Sequence, residues 1–158
     1  MKVLTVVVTH NRSKLLERCI DSIESQSDST DDLLVINNGS TDNTEEILIS
    51  KNVRYITQDN LGSAGGWHRG IQAALDEDYD ACWLMDDDGY PHQDALKNLK
   101  LEFNNDTACI SSVVLKEDNK LEFVFPFPLL TKENLPKIFG IPRKIYKLEK
   151  LKDQSVNN

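Results

Sequence analysis

Two hydrophobic periods alternate along the chain. Val3-Leu4-Thr5-Val6-Val7-Val8 is a nearly unbroken apolar, β-branched run, the pattern of a strand covered on both faces. Ser13 to Gln26 then carries Leu15, Leu16, Cys19, Ile20 and Ile23 at helical spacing. The alternation continues. Leu33–Ile36 reads as a strand, and Asn43–Ser50 as a short helix capped by Thr41 or Asp42 with Glu45 and Glu46 in its first turn. Val53–Ile56 reads as a strand, Gly65–Leu75 as a helix and Ala81–Met85 as a strand. Pro91 suits a first helical turn, and Ala95, Leu96, Leu99 and Leu101 extend that helix. Ala108–Leu115 predicts a further strand, with Leu121–Phe125 pairing beside it. This order predicts an α/β fold, a mostly parallel sheet with helices on both faces and right-handed crossovers.

The regularity fades after Phe125, where Pro126, Pro128, Pro136 and Pro142 interrupt the chain. The expected division is therefore an α/β domain over residues 1–125 and an irregular tail over 126–158. In the tail, Ile138, Ile141, Ile145, Leu148 and Leu151 recur every three or four residues among lysines. That is the pattern of a basic amphipathic helix, which either packs on its own domain or a partner chain, or lies on an anionic membrane surface.

Charge and composition narrow the picture. A length of 158 residues suits a single core, and 39% apolar residues is ordinary for a globular chain. The net charge of −8 argues against a nucleic acid held through its phosphates. The tail runs the other way: Lys137, Arg143, Lys144, Lys147, Lys150 and Lys152 outnumber Glu149 and Asp153. Cys19, Cys82 and Cys109 are widely spaced without a CxxC pair, so they read as reduced thiols, all three expected in packed interiors. No targeting segment is visible, and no run approaches the roughly 20 apolar residues of a membrane span. The expected location is cytoplasmic, or peripheral to a membrane through the basic tail.

The chemistry gathers where strands end. Thr9-His10-Asn11-Arg12 follows the first strand and Asn37-Asn38-Gly39-Ser40-Thr41-Asp42 the second. Asp59 to Gly70, with Gly62, Gly65 and Gly66, follows the third, and Asp86-Asp87-Asp88 the fourth. In a parallel sheet all four loops fall on one edge and line one crevice. Each has a plain reading: a turn and helix cap for Asn38 to Asp42, a tight turn for the glycines, a solvated loop for the acids. Three adjacent carboxylates, however, repel one another and gain nothing for a fold. A hard divalent cation with oxygen ligands, Mg²⁺ or Mn²⁺, would neutralise them. Asp76, Glu77, Asp78 and Asp80 follow a helix and read as an exposed acidic turn.

Val6-Val7-Val8-Thr9-His10-Asn11-Arg12, Asn38-Gly39-Ser40-Thr41-Asp42, Asn60-Leu61-Gly62-Ser63-Ala64-Gly65-Gly66 and Asp86-Asp87-Asp88 stand in the order and spacing of family 2 glycosyltransferases. Over residues 3–115 the chain resembles these enzymes, which have the GT-A (Rossmann-like) fold and use nucleotide-diphosphate sugars. Asn60 to Gly70 and Leu84 to Pro91 look most like the galactofuranosyl- and rhamnosyltransferase branch. The resemblance implies roles. Thr9, Asn11 and Arg12 would touch the base and ribose of the donor, and Asn38 the base edge. Asn60, Gly65 and Gly66 would let backbone approach the ribose and diphosphate, and Arg69 would reach the diphosphate or pack. Asp86, Asp87 and Asp88 match the DXD motif. Asp86 and Asp88 would be the metal pair, because alternate residues of extended backbone point the same way, with Asp86 and Asp87 also on the donor side.

The implied function is an inverting, metal-dependent transfer of a hexose from a UDP- or dTDP-linked sugar to a glycan or lipid-linked acceptor in cell-surface polysaccharide synthesis. Association with a second copy is compatible with this. The pattern departs from the family in two places. Asn37 stands where the family usually has Asp, and little chain remains after the DXD motif for the acceptor half and its general base. Glu149 and Asp153 are formal candidates for that base only, Asp94 reads as a helix first-turn acid, and the base is expected outside this chain. The alternative is therefore a truncated or inactive nucleotide-sugar-binding domain or partner subunit. A sugar-phosphate nucleotidyltransferase would need a glycine-rich loop after the first strand, where Thr9-His10-Asn11-Arg12 stands.

Overall fold

A computed structural model describes residues 1–104, 106, 108–128 and 144–147. The chain divides by its internal contacts into Met1–Ile110 and Ser111–Asn158.

In the first unit, strand β1 (Val3–Thr9), helix α1 (Ser13–Glu24), strand β2 (Asp32–Asn37), helix α2 (Thr44–Ser50) and strand β3 (Arg54–Thr57) follow in order. Helix α3 (Gly62–Asp76), strand β4 (Ala81–Asp86) and helix α4 (Ala95–Glu102) complete it. The four strands form one parallel sheet in the order β3-β2-β1-β4. Every residue of β1 is buried, as its continuous apolar run requires of a central strand. Alternate residues serve opposite faces. Leu4, Val6, Val8, Leu34 and Ile36 pack with Ala73 and Ala74 of α3, and Trp67, Tyr79 and Cys82 close that side. Val7 and Val35 pack on the other side with Leu16, Cys19, Ile20 and Ile23 of α1 and Leu48 of α2. The α/β architecture with helices on both faces is therefore as the sequence predicts.

Small side chains set the distance between α3 and the sheet. A Cβ on Gly70 would lie 2.3 Å from Val6 Cγ1, and one on Gly66 would lie 2.5 Å from Val8 Cγ1. Helix α3 begins three residues before the predicted start. The Asn60 side chain accepts the Gly62 N–H at 2.9 Å and closes a turn that the helix continues. At the opposite end of the sheet, Arg54 pairs with Glu77 and, at 2.9 Å, with Asp32, and the Tyr79 hydroxyl donates to the same Asp32 carboxylate at 3.0 Å. These contacts tie the starts of β2 and β3 to the exit of α3.

The chain after β4 is anchored to α1. The buried Gln26 donates to the carbonyls of Ser22 (3.1 Å) and His92 (3.0 Å) and accepts the Leu96 N–H (3.0 Å). Ser27 adds a 2.7 Å hydrogen bond to Asp94, which precedes α4. Arg18 stacks over the Tyr90 ring at 3.9 Å.

In the second unit, strand β5 (Glu122–Pro128) pairs antiparallel with strand β6 (Lys144–Lys147), which sets Glu122 opposite Lys147. Three expectations are corrected here. Ala108–Leu115 does not form a strand: its contact with β5 is the single bridge Leu115–Phe123, and Val113 and Val114 are exposed, so the apolar run has no face to bury. Cys109, within that run, is exposed rather than packed, and Cys82 is half-buried, while Cys19 is fully buried. The helical stripe of the tail also fails at Ile145, which lies in β6; Ile138, Ile141, Leu148 and Leu151, with Glu149 and Asp153, lie outside the described residues. Among the described residues no helix is long and apolar enough to cross a membrane.

Gly70→Ala should lower stability by about 1–3 kcal/mol through overpacking against Val6. Urea denaturation is the measurement, and adding Val6→Ala should return less cost than the two single changes predict together.

Candidate functional site

The strand order places the site. From β1 the chain passes through α1 to β2 on one side, and it returns through α3 to β4 on the other. The carboxyl ends of β1 and β4 therefore flank a point where the connections diverge, which opens a crevice above the sheet. A cleft of about 510 Å³ lies there. Val8, Thr9, His10 and Arg12 line it from the end of β1, Asn38 from β2, Asn60, Gly62 and Ser63 from the start of α3, and Asp86, Asp87 and Asp88 from β4.

The three acids have different environments. Asp86 is the last residue of β4, in register with Val8, and the chain turns at once, with the Gly89 N–H on the Asp86 carbonyl at 3.1 Å. Asp87 is buried. Its carboxylate accepts from Thr9 Oγ1 at 2.7 Å and from Arg12 Nη1 at 3.2 Å. Asp88 is exposed and accepts from the same Arg12 Nη1 at 3.2 Å. Among the described residues no group donates a hydrogen bond to the Asp86 carboxylate. Burial, then the charges of Asp88 and Asp87, raise its pKa above the ordinary aspartate value, and Arg12 offsets this only in part. The turn thus sets Asp86 and Asp88 towards solvent and Asp87 inward. The cause is the turn itself rather than the alternation of an extended strand.

This donor set suits a hard cation. It offers two exposed carboxylates with unbalanced negative charge, and oxygen is the ligand type that Mg²⁺ and Mn²⁺ take. Among the described residues no group of three or more His, Cys, Asp or Glu side chains forms a cage. A cation held by Asp86 and Asp88 would therefore complete its shell with oxygens of a ligand and of water, as Mg²⁺ commonly does. Beneath the turn, burial pushes the Cys19 thiol up to about 12, so it stays neutral; its Sγ lies 3.7 Å from the Asp86 carbonyl.

The remaining loops are fixed by their own side chains. Asn38 Oδ1 accepts from Gln58 at 2.8 Å, and Asn38 Nδ2 donates to the Gly62 carbonyl at 3.0 Å, which fixes the amide at the cleft wall. The sequence expectation placed Asn11, Gly65, Gly66 and Arg69 at a donor as well, and the structure does not bring them to the cleft lining. Asn11, at φ 53°, accepts the Thr41 N–H at 2.7 Å and ties the first loop to the second. Gly66 lets α3 close on Val8, a Gly65 Cβ would meet Leu61, and Arg69 is exposed along α3. Asn37 is buried and is not among the residues lining the cleft; its Oδ1 accepts the Ser40 N–H at 3.0 Å.

Sequence reasoning placed His10, Gly62 and Ser63 in loops along the crevice but gave them no part at the donor, and the structure sets all three in the cleft lining. His10 Nδ1 lies 2.8 Å from the Asn38 carbonyl and so carries the proton, which leaves Nε2 to accept from Asn11 Nδ2 at 3.3 Å. Gly62 and Ser63 form the first turn of α3; the Gly62 N–H is taken by Asn60, and the dipole of the helix start favours an anion. The Asn60 side chain, a helix-start residue, was the signal for that earlier start.

Fold and cleft together define a doubly wound α/β protein with an acidic, oxygen-rich crevice beside a helix N-terminus. The sequence profile of glycosyl transferase family 2 matches residues 5–154, and the chain belongs to that family. It is 33% identical over 129 residues to the galactofuranosyltransferase GlfT1 of Mycolicibacterium smegmatis, an alignment covering 78% of this chain and 43% of that protein. It is 25% identical over 159 aligned positions to the glycosyltransferase GlyA of Streptococcus pneumoniae, covering 96% of this chain and 22% of that one. The chain thus spans less than half the length of these relatives. Among solved structures, glucosyl-3-phosphoglycerate synthase of Mycobacterium tuberculosis in complex with UDP matches with a TM-score of 0.50 and 26% identity, over 58% of this chain and 36% of that one. The mannosyltransferase PcManGT of Pyrobaculum calidifontis, solved with GDP-Man and Mn²⁺, shares the fold with a TM-score of 0.53 at 22% identity, over 61% of this chain and 30% of that one.

The raised pKa of Asp86 has a stability consequence. The folded chain holds this proton more tightly than the unfolded chain, so the ionised carboxylate costs stability above its folded pKa. The cost disappears as pH falls below the unfolded value. Asp86→Asn should therefore raise the melting temperature at pH 7 by about 1–3 °C and add nothing near pH 3, read by thermal unfolding across pH.

Proposed function

We propose that this chain is the donor-binding half of a metal-dependent, inverting glycosyltransferase. It binds a nucleotide-diphosphate sugar with Mg²⁺ or Mn²⁺, and the hexose passes to a glycan or lipid-linked acceptor in cell-surface polysaccharide assembly, at the cytoplasmic side. The observation that carries this reading is the meeting, in one cleft, of the two exposed carboxylates Asp86 and Asp88 with Arg12 and the first turn of α3. The family membership and the UDP-bound synthase among its structural neighbours support it.

Asp86 and Asp88 would hold the cation. When bound, it would supply charge for the diphosphate that leaves with the nucleotide. The backbone N–H of Ser63, in the first turn of α3, would face the same phosphates. Asn38, with its amide fixed on both sides, would present a set orientation to the nucleotide. The Arg12 guanidinium, charged at every working pH and raised further by Asp87, adds a cation to the same cleft.

One observation favours the second reading, a nucleotide-sugar-binding domain without transfer activity. Among the described residues, the acids lining the cleft are Asp86, Asp87 and Asp88 alone, and both His10 ring nitrogens are engaged. A general base for the acceptor hydroxyl would then come from another part of the protein or from a partner.

Calorimetric titration of UDP, dTDP and GDP with and without Mn²⁺ should show one of them binding in a metal-dependent manner. Asp88→Ala should weaken that binding at least tenfold. Absence of nucleotide binding to the folded protein would sink both readings, and release of sugar from the matching donor separates the transferase from the binder.

A further inference from the structure

Arg12 occupies the place of a cation on the acidic turn. A single nitrogen, Nη1, bridges Asp87 Oδ1 and Asp88 Oδ2, each at 3.2 Å. The two halves of the bridge are unequal. Asp87 is buried and shares a second hydrogen bond with Thr9, whereas the Asp88 side chain is 56% exposed. Breaking the first contact would leave a buried carboxylate without its counter-charge, a costly change. Breaking the second separates two solvated groups, which costs little. Among the described residues, Nε and Nη2 of Arg12 have no hydrogen-bond partner, although the residue lines the cleft.

We propose that Arg12 is the internal counter-ion of the acidic turn and that a divalent cation displaces it from Asp88. Arg12 keeps its hold on Asp87 and pivots there. Its freed donors then turn to the phosphate oxygens that arrive with the cation, for which the guanidinium fork is suited. Metal entry and diphosphate capture are thereby coupled through one side chain. This rests on the donor-site reading of Asp86 and Asp88 given above and adds to it an order of events: the cation takes Asp88, then Arg12 is released.

The test measures the metal alone first. Mn²⁺ is titrated into nucleotide-free protein and followed by the free-ion electron paramagnetic resonance signal. Arg12→Gln should bind Mn²⁺ roughly two- to fivefold more tightly than the natural chain, because the competitor for Asp88 is gone. With Mn²⁺ saturating, the same variant should bind UDP about tenfold more weakly, having lost a phosphate contact. A residue that merely holds the turn together would weaken both, so Mn²⁺ affinity that is unchanged or lower in Arg12→Gln overturns the proposal. Nitrogen-15 NMR of the natural chain covers the case in which the variant does not fold. Mg²⁺ should shift the Arg12 guanidinium resonance and leave it unshifted in Asp88→Asn; an unmoved resonance at saturating Mg²⁺ also overturns it. Mn²⁺ binding that responds to Arg12 in a protein indifferent to UDP, dTDP and GDP would retire the donor-site reading and keep the counter-ion. Metal-dependent nucleotide binding without the Arg12 effect on Mn²⁺ would do the reverse.

Discussion

The structure is organised by the burial of β1 on every side. Hydrogen-bonded ladders to β2 and β4 take both of its edges, and apolar side chains from α1 and α3 take its two faces. A strand so enclosed can end in only one polar direction, out of the sheet at its carboxyl terminus, and Thr9 to Arg12 emerge there. Because all its partners run parallel, their carboxyl ends emerge beside it. The cleft follows from the topology before any particular ligand is considered.

What the topology does not supply is charge balance. Three carboxylates in a row are brought to the rim, and the chain handles them unequally. One is drawn inward and satisfied by Thr9 and Arg12, one shares the same guanidinium from the solvent side, and one is left with none. Unequal treatment is what gives the motif chemical capacity. A fully satisfied triad would be an inert structural knot, and a fully unsatisfied one would push the end of β4 apart. Asp86 carries the unfavourable electrostatics, a pattern expected where stability is traded for binding.

Much of this was legible in the sequence, for reasons that can be named. The β-branched run at Val3–Val8 could belong only to a doubly covered strand, and the polar clusters after each strand could only share an edge. The acids at 86–88 were legible because no fold needs them. Less legible was anything decided by side-chain contact over distance. That Gly66 and Gly70 let α3 approach β1, rather than serving a loop, depends on Val6 and Val8, dozens of residues away. The engagement of Asn11 with Thr41 likewise gives a loop-to-loop tie to a residue that the family pattern placed at the donor. Ala108–Leu115 misled because strand propensity is realised only where a surface waits to be covered, and Val113 and Val114 have none.

Helix α1 is attached to the β4–α4 connection at three levels: Arg12 and the acidic turn at its start, Arg18 on Tyr90 midway, and Gln26 with Ser27 beyond its end. The loop that carries Asp87 and Asp88 is therefore pinned along its length by a helix that folding has already fixed. Its conformational freedom is surrendered when the domain forms, not when a ligand arrives. An incoming cation meets a loop with little backbone entropy left to lose, so more of its coordination energy remains as affinity.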